Sequence, residues 1–396
     1  MALSIRPLTY EDGLASRRLG QEAFGVPSTQ PPYPECWPPA GQHPVGAFDH
    51  DRLVARLIGI EFESWFGTAA IPTWGIGGVT VEAEYRGQGA LTDLFTATFA
   101  EAAAHGAVIS SLFPSAAGIY RRFGYELVGG FGAMEIPTLA LTGVRAGTGV
   151  HTRRATADDY ADICAVYRAW ANQQNGTLHR TGPGFSDTAE SFAEQFTGVT
   201  VALDDHDHVV GYTSWERGQG ADSTATIEVT DLIALTGAAT HALLRFLGSF
   251  SSVTGRVTVE TGERDLGVLA LPGLPWRPTT FHDYMLRVLD PVQAVGLRSY
   301  PSGLAGTWEI TLTGDPITGP AGGYRIDVAD GSARCSRTDT SAGVQLNPQG
   351  LALLYAGVQP VANLRMAGHA TGGEPDQDAN LDALFGGRQF HIRNYF

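Results

Sequence analysis

Stretches of alternating polar and apolar residues give way to helical spacing several times along the chain. SIRPL (4–8) alternates as a short strand does, and TYEDGLASRRLGQEAFG (9–25) has helical spacing, with Thr9 placed to cap it and Asp12 three residues on. Residues 26–44 are rich in proline and predict irregular chain. Strands are expected at DRLVARLIGIEFESWF (51–66) and IPTWGIGGVTV (71–81), then a helix at LTDLFTATFAEAAAHG (91–106) that stops at a glycine. AVISSLFPS (107–115) reads as a buried strand, AAGIYRRFG (116–124) as a short helix, and YELVG (125–129) as a strand.

The order then begins again. GVHTRRATADDYADICAVYRAWANQ (149–173) opens with a strand and a helix, as residues 4–25 do, across a linker at 141–149. VALDDHDHVVGYTSWE (201–216) reads as a hairpin, and TIEVTDLIAL (226–235) followed by THALLRFLGSF (240–250) as another strand-then-helix step. This is a weak internal duplication. MLRVLDPVQAVGLRSY (285–300) leads into a third segment of strands and Gly/Asp/Pro turns, with helices at PQGLALLYAG (348–357) and NLDALFGG (380–387). The pattern predicts a mixed α+β chain in three domains, 1–140, 150–287 and 288–396.

Composition narrows the chemistry. No apolar run reaches the roughly 18 residues of a membrane span, and MALSIRPLTYEDG lacks a signal core, so a cytoplasmic protein is expected. All 26 basic residues are arginine, which excludes a Schiff-base lysine, a Walker lysine and a Ser-Lys dyad. The net charge of −15 argues against nucleic-acid binding and favours cationic ligands. The three cysteines, at 36, 164 and 335, form no CxxC pair and give no metal signature. DDHDH (204–208) is flanked by strand-like residues and reads as a hairpin turn, so no metal is expected. His241 and Arg245 share a helix face and read as surface, and no GxSxG is present.

The chemistry-bearing stretch is VTVEAEYRGQGAL (79–91). A strand ends, Arg86, Gly87 and Gly89 follow, and a helix starts at Ala90. Glycines allow close backbone approach, and a helix N-terminus favours an anion. The spacing is neither GxGxxG nor GxxxxGK[ST]. Alone, such a loop is as well read as a tight turn that binds nothing.

Further on, SSLFPSAAGIYRRFGYELVG (110–129) puts Tyr120 on a short helix one element past the loop. That order resembles the GNAT N-acetyltransferase superfamily. Over nearly the whole chain the sequence is similar to the enhanced intracellular survival (Eis) acetyltransferases. The resemblance rests on AFG…ECW (23–37), VTVEAEYRGQGAL, SAAGIYRRFGYE, THALLRFLGSF, GSARCSRTDTSAGVQLN, LALLYAG and the terminal NYF. It implies two tandem GNAT-like folds, a sterol-carrier-like α+β domain and a homo-hexamer.

It further implies acetyl-CoA as co-substrate and a small-molecule amine as acceptor, with no nucleic-acid or membrane partner. The pyrophosphate would lie on Arg86, Gly87, Gln88, Gly89, Ala90 and Leu91, with Ser115 nearby. The backbone of Val79, Thr80 and Val81 would meet the pantetheine, and an N–H near Val79 the oxyanion. Tyr120 would be the general acid and the C-terminal carboxylate of Phe396 the general base. Phe24, Trp37, Gly77 and Tyr395 would line the acceptor pocket, although packing accounts for Trp37 equally well. The alternative for Tyr120 is a packed aromatic, and for Phe396 a frayed tail.

The chain departs from the aminoglycoside-acetylating members of that family. Those carry acidic residues where Val26 and Tyr395 stand here, and bulkier residues where Gly77 and Gly78 precede the strand. Glu22, Glu35, Glu82 and Glu84 could restore negative charge. Expected acceptors are an aminoglycoside, a polyamine or a lysine. In the second copy Ala238, Ala239 and Thr240 replace the arginine-glycine loop, so that copy is expected not to bind coenzyme A. A competing reading is a noncatalytic protein that binds lipid through its third domain.

Overall fold

The computed structural model describes residues 3–26, 34–145, 147–185, 187–262, 269–271, 273, 276–314, 317 and 321–396. The middle of the proline-rich stretch, residues 27–33, lies outside them.

The first strand-helix repeat comprises β1 (Ser4–Pro7), α1 (Gly13–Phe24), β2 (Gln42–Asp49), β3 (Arg52–Phe66), β4 (Ala69–Val81), α2 (Ala90–Ala104), β5 (Ile109–Leu112), α3 (Ala117–Arg121) and β6 (Glu126–Pro137). After α4 (Thr138–Leu141), the second comprises β7 (Val150–Arg154), α5 (Tyr160–Ala171), β8 (Leu178–His179), α6 (Ala189–Glu194), β9 (Gly198–Asp204), β10 (Val209–Arg217), β11 (Thr226–Ala234), α7 (Gly237–Gly248), β12 (Arg256–Gly262) and β13 (Arg277–Val288).

The duplication shows in detail at the two starts. Arg6 holds Asp12 at 2.7 and 2.9 Å, and Asp12 accepts from the Thr9 N–H at 2.9 Å. Arg153 holds Asp159 at 2.7 and 2.8 Å, and Asp159 accepts from the Thr156 N–H at 2.7 Å. Both are capping boxes at the entry to a helix.

The sequence reading missed β8, β12 and, most instructively, β2. β2 begins inside the stretch expected to be irregular, because Pro44 reads as a strand breaker. Pro44 sits in register with Ile58, and its carbonyl accepts from the Leu8 N–H at 2.9 Å, so only its missing donor is lost.

The two repeats are not separate sheets. Their strands form one thirteen-stranded sheet in the order β1-β2-β3-β4-β5-β13-β6-β12-β11-β10-β9-β7, with β8 beside β3. β13, from the end of the second repeat, inserts between β5 and β6 of the first. β6 in turn pairs with β12 of the second repeat, from Arg256↔Pro137 to Gly262↔Phe131. Each repeat therefore completes the other, and a cut at residues 141–149 would sever the linker but leave the shared sheet.

The third segment builds a five-stranded sheet, β16-β15-β14-β17-β18, from β14 (Gly306–Leu312), β15 (Gly322–Ala329), β16 (Ser332–Thr338), β17 (Val344–Leu346) and β18 (Ala370–Thr371). Its helix Pro348–Ala356 is buried from Gly350 to Ala356 and packs on β13 and β6, which joins this core to the large sheet. Residues 388–396 then leave this segment and run back over both repeats.

Candidate active site

β4 is where the first site takes shape. It pairs in parallel with β5 from Thr73↔Ile109 to Ile76↔Leu112, and the ladder stops there. Beyond that point Gly77, Thr80 and Val81 pair only with β3. The divergence coincides with a bulge. Gly78 and Val79 stand opposite Leu57 where the β3–β4 register shifts, and the Gly78 φ of +56° is one that glycine adopts without strain. Two parallel strands thus part, and the edge of β4 toward β5 is left open. The Thr80 hydroxyl in this stretch is buried without a hydrogen-bond partner among the described residues. An open strand edge and an unsatisfied hydroxyl suit a ligand that carries amides.

The loop after β4 turns sharply into α2. Gly87 and Gly89 have φ of +79° and +90°, and a Cβ at either would meet nothing within 4 Å. Their need for glycine is conformational, and the loop surface is open. Gly89 is the N-cap residue and offers no side-chain cap, so the Ala90 and Leu91 N–H groups point out of the helix, while the Thr92 N–H donates to the Gly89 carbonyl at 2.9 Å. Gln88 is tied back to the Glu84 carbonyl at 2.8 Å, and the Arg86 Nε lies 3.4 Å from the Val81 carbonyl, which keeps the exposed guanidinium beside the end of β4. α2 is anchored by Ala90, Leu94, Phe95, Thr98, Phe99 and Ala102, one face at helical spacing. A fixed helix aims a cluster of donors and one arginine at a single place.

Tyr120 is 5% exposed on α3, edge-on to Phe95 and Tyr125 at 6.2 and 6.4 Å between centroids. Burial pushes its pKa up, and a hydrogen bond with Ser115 opposes that. Its phenol is therefore protonated at neutral pH, as a proton donor must be.

The tail approaches the same region. The Phe396 ring lies 4.9 Å from that of Phe62, 5.4 Å from Phe113 and 6.2 Å from Tyr284. It rests over Gly75, where a Cβ would sit 2.8 Å from the ring. Gly75 pairs with Ser111, one residue before the point at which β4 and β5 part. The terminal residue is thus docked at the mouth of the splay and is not frayed.

Phe113 also contacts Tyr395, at 4.4 Å, and His282 contacts it at 5.3 Å. Gly77 is half-buried, with Ile60 3.3 Å from where a Cβ would stand. Phe24 is exposed at the end of α1, and Trp37 packs against Leu8, Leu19, Phe48 and Leu53, so packing explains it. Glu82 is held by Arg52 at 2.8 Å, whereas Glu22, Glu35 and Glu84 are exposed.

Two features of the site left no signal in sequence. Arg56, on β3, donates to Ser16 at 2.8 Å and has no carboxylate partner among the described residues. Desolvation lowers its pKa to about 10, and it lies beside Gly78. The other feature is the anchor of the tail. Asp231 accepts from Arg180 at 2.5 and 3.1 Å and from Tyr212 at 2.8 Å, and faces Arg393 at 3.4 Å. Arg393 also donates to the carbonyls of Glu260 and Thr230 at 2.8 and 3.2 Å, and Arg180 reaches Asn394 at 3.3 Å. Residues 180, 212, 231 and 393 are too far apart in sequence for any motif to show this network. A cavity of about 350 Å³ adjoins it, lined by Tyr160, Tyr167, Phe185, Arg180, Asp231 and Asn394.

A parted strand pair, a glycine loop at a helix N-terminus and a buried tyrosine on the short helix after β5 define a GNAT acetyltransferase fold. Residues 4–128 match the family model for an acetyltransferase (GNAT) domain, residues 176–288 a second such model, and residues 291–393 one for a sterol carrier protein domain. The chain is 31% identical over 363 residues to an uncharacterized N-acetyltransferase of Streptomyces griseus, covering 86% of each. It is 25% identical over 344 residues to the N-acetyltransferase Eis of Mycobacterium tuberculosis, covering 81% of this chain and 79% of that one. Among solved structures, a GCN5-related N-acetyltransferase from Kribbella flavida has a TM-score of 0.83 at 26% identity, over 100% of this chain and 98% of that one. Eis1 from Mycobacterium abscessus has a TM-score of 0.76 at 21% identity, over the whole of both chains. The chain belongs to the Eis-type N-acetyltransferases, tandem GNAT domains followed by a sterol-carrier-like domain.

Proposed function

We propose that the chain transfers an acetyl group from acetyl-CoA directly to a primary amine of a cationic, multi-amine acceptor. GNAT acetyltransferases use acetyl-CoA as co-substrate, and the open edge of β4 with the Arg86–Leu91 loop fits it. Arg86 and the N–H groups at the start of α2 hold the pyrophosphate. The Val79–Val81 backbone aligns the pantetheine in the gap between β4 and β5. An N–H near Val79 stabilises the oxyanion that forms when the amine attacks the thioester.

Tyr120 gives its proton to the departing thiolate. The Phe396 carboxylate takes the proton that the amine must lose. A free α-carboxylate has a pKa of about 3.5 and is a weak base in water; burial in general strengthens such a base by disfavouring its charge. The single observation that carries this reading is the Phe396 ring docked over Gly75 at the splay.

The second copy has Gly237 to Thr240 where the loop would stand, and it acts as scaffold and pocket wall without coenzyme A. The net charge of −15 favours an aminoglycoside, a polyamine or a lysine as acceptor. The chain assembles as a homo-hexamer in the cytoplasm, and light scattering at the monomer mass of 42.0 kDa would refute the assembly.

The test is acetyl-CoA-dependent release of CoA thiol against several aminoglycosides, aliphatic polyamines and a lysine-rich peptide. Release above the hydrolysis blank with at least one amine is expected. No release from any acceptor, together with bound lipid and no affinity for acetyl-CoA, would favour the binding-protein reading instead.

A further inference from the structure

Away from the splay, four ligating side chains meet on the first repeat. His43 comes from β2, Glu61 from β3, and Glu101 and His105 from the last turn of α2 and its cap. Both imidazoles lie against the buried indole of Trp74, at 5.0 and 5.5 Å, and that indole is fixed by its N–H donating to Thr98 at 3.0 Å. The rings therefore have a rigid floor.

The arrangement of their nitrogens matters most. Glu61 Oε1 lies 2.6 Å from His43 Nε2 and 2.6 Å from His105 Nδ1. The approach to His43 Nε2 is short, though not in line for a hydrogen bond. A carboxylate only accepts, and Glu61 stands behind both rings on the side of those two nitrogens. His43 Nδ1 and His105 Nε2 are the opposite ring nitrogens. These are the atoms that face Glu101 Oε1, at 3.9 and 3.2 Å. The contact to His105 Nε2 is a hydrogen bond, and a cation in place of its proton would take both nitrogens and the carboxylate oxygen as ligands of one ion. Meanwhile a single carboxylate orients both rings from behind, which is how metal-binding histidines are commonly held.

We propose that His43, Glu101 and His105 bind one divalent zinc ion, with Glu61 as the residue that positions both imidazoles. One ligand atom from each of the three lies within 4.8 Å of the others. Tetrahedral zinc, with bonds of about 2.0–2.2 Å, sets its ligand atoms roughly 3.3 Å apart. Rotation of Glu101, half-exposed at 48%, can bring its 3.9 Å distance from His43 toward that spacing. Water takes the fourth position. The ion ties the C-terminal end of α2 to β2 and β3, and α2 is the helix whose other end carries the glycine loop.

A second histidine group does not have this logic. Asp204 Oδ1 already accepts from the backbone N–H groups of His206 and His208, at 2.8 and 2.9 Å, within an exposed turn. That carboxylate is used in making the turn.

The experiment takes the full chain without an affinity tag, stripped by a chelator, and titrates zinc sulfate against a chromophoric competitor at neutral pH. One zinc per chain is expected. His105→Ala and Glu101→Ala should weaken it by about 100-fold or more. Glu61→Gln should cost about 10–100-fold, as loss of an orienting carboxylate does. A His206→Ala/His208→Ala chain should bind as the parent does. Cobalt(II) in place of zinc should give the strong visible absorption of a tetrahedral site. Circular dichroism checks that each variant is folded.

The proposal is overturned if the His105 and Glu101 variants bind zinc like the parent, or if binding is lost only in the His206/His208 chain. It is also overturned if no site tighter than about 100 µM exists, the result expected if protons on the imidazoles take the cation's place.

Discussion

Asp231→Asn should disable catalysis from the other side of the molecule. The side chain is 2% exposed and lies between two guanidiniums, Arg180 at 2.5 Å and Arg393 at 3.4 Å. Burial alone would raise its pKa. Arg180, Arg393 and the Tyr212 hydroxyl outweigh that and hold it at about 2, against an ordinary 3.8. The folded-state pKa is depressed, so its stabilising contribution is present above pH 3.8 and is lost as pH falls through about 2. The shift corresponds to about 2 kcal/mol. Asparagine removes more than this, because it leaves two buried cations facing each other. Breaking such a pair costs about 3–5 kcal/mol. The chain can avoid part of that cost by releasing Arg393 into water, and Phe396 then leaves Gly75 with it.

The expected result is a fall in Tm on the order of 5 °C and a fall in kcat of about 10²-fold or more, as for loss of a general base. The KM for acetyl-CoA should stay within about twofold, since the Arg86 loop is untouched. The assay is CoA thiol release with the best acceptor of the panel, alongside differential scanning fluorimetry. Deleting Phe396 in the Asp231→Asn background should add little, because both changes act through the tail. A variant with lowered Tm but parental kcat would refute the coupling of latch to site. Unchanged Tm would refute the energetics.

Other outcomes follow from the same geometry. Tyr120→Phe should lower kcat by about 10²–10⁴-fold with acetyl-CoA affinity retained in isothermal titration; unchanged turnover would end its role as acid. Gly75→Ala places a methyl 2.8 Å from the Phe396 ring and 2.5 Å from Phe62, so kcat should drop by about tenfold or more while circular dichroism stays native. Asp12 and Asp159 are each held at about 2, chiefly by the hydrogen bonds from Arg6 and Arg153. Their contributions are present above the ordinary carboxylate pKa and lost as pH falls through about 2. The Asp12→Asn/Asp159→Asn chain should therefore lose less stability than the parent between pH 4 and pH 2, by a small margin because the arginines are half-exposed. Arg56→Met replaces a desolvated guanidinium that has no carboxylate partner among the described residues, and should hold or raise Tm; a fall of several degrees would show that the charge is satisfied in a way this geometry omits.

The sequence by itself determined what depends on neighbours along the chain. The Arg-x-x-Gly turn into α2, the repeated Thr-x-x-Asp capping box and the tyrosine on a five-residue helix are local, and residue type at short spacing dictates them. So is the missing loop of the second copy, where Thr236 caps α7 through the Ala239 N–H at 3.1 Å. β2 was hidden by Pro44, whose neighbours in the sheet decide whether a lost donor matters. Tertiary structure alone decided the rest. The exchange of β6 and β13 between repeats is a choice of partner among strands of similar pattern, which no single strand encodes. The latch on Arg393 and the cluster of His43, Glu61, Glu101 and His105 each gather charges from distant parts of the chain. Such charges acquire a purpose only when folding takes them out of water and fixes the angles at which they meet.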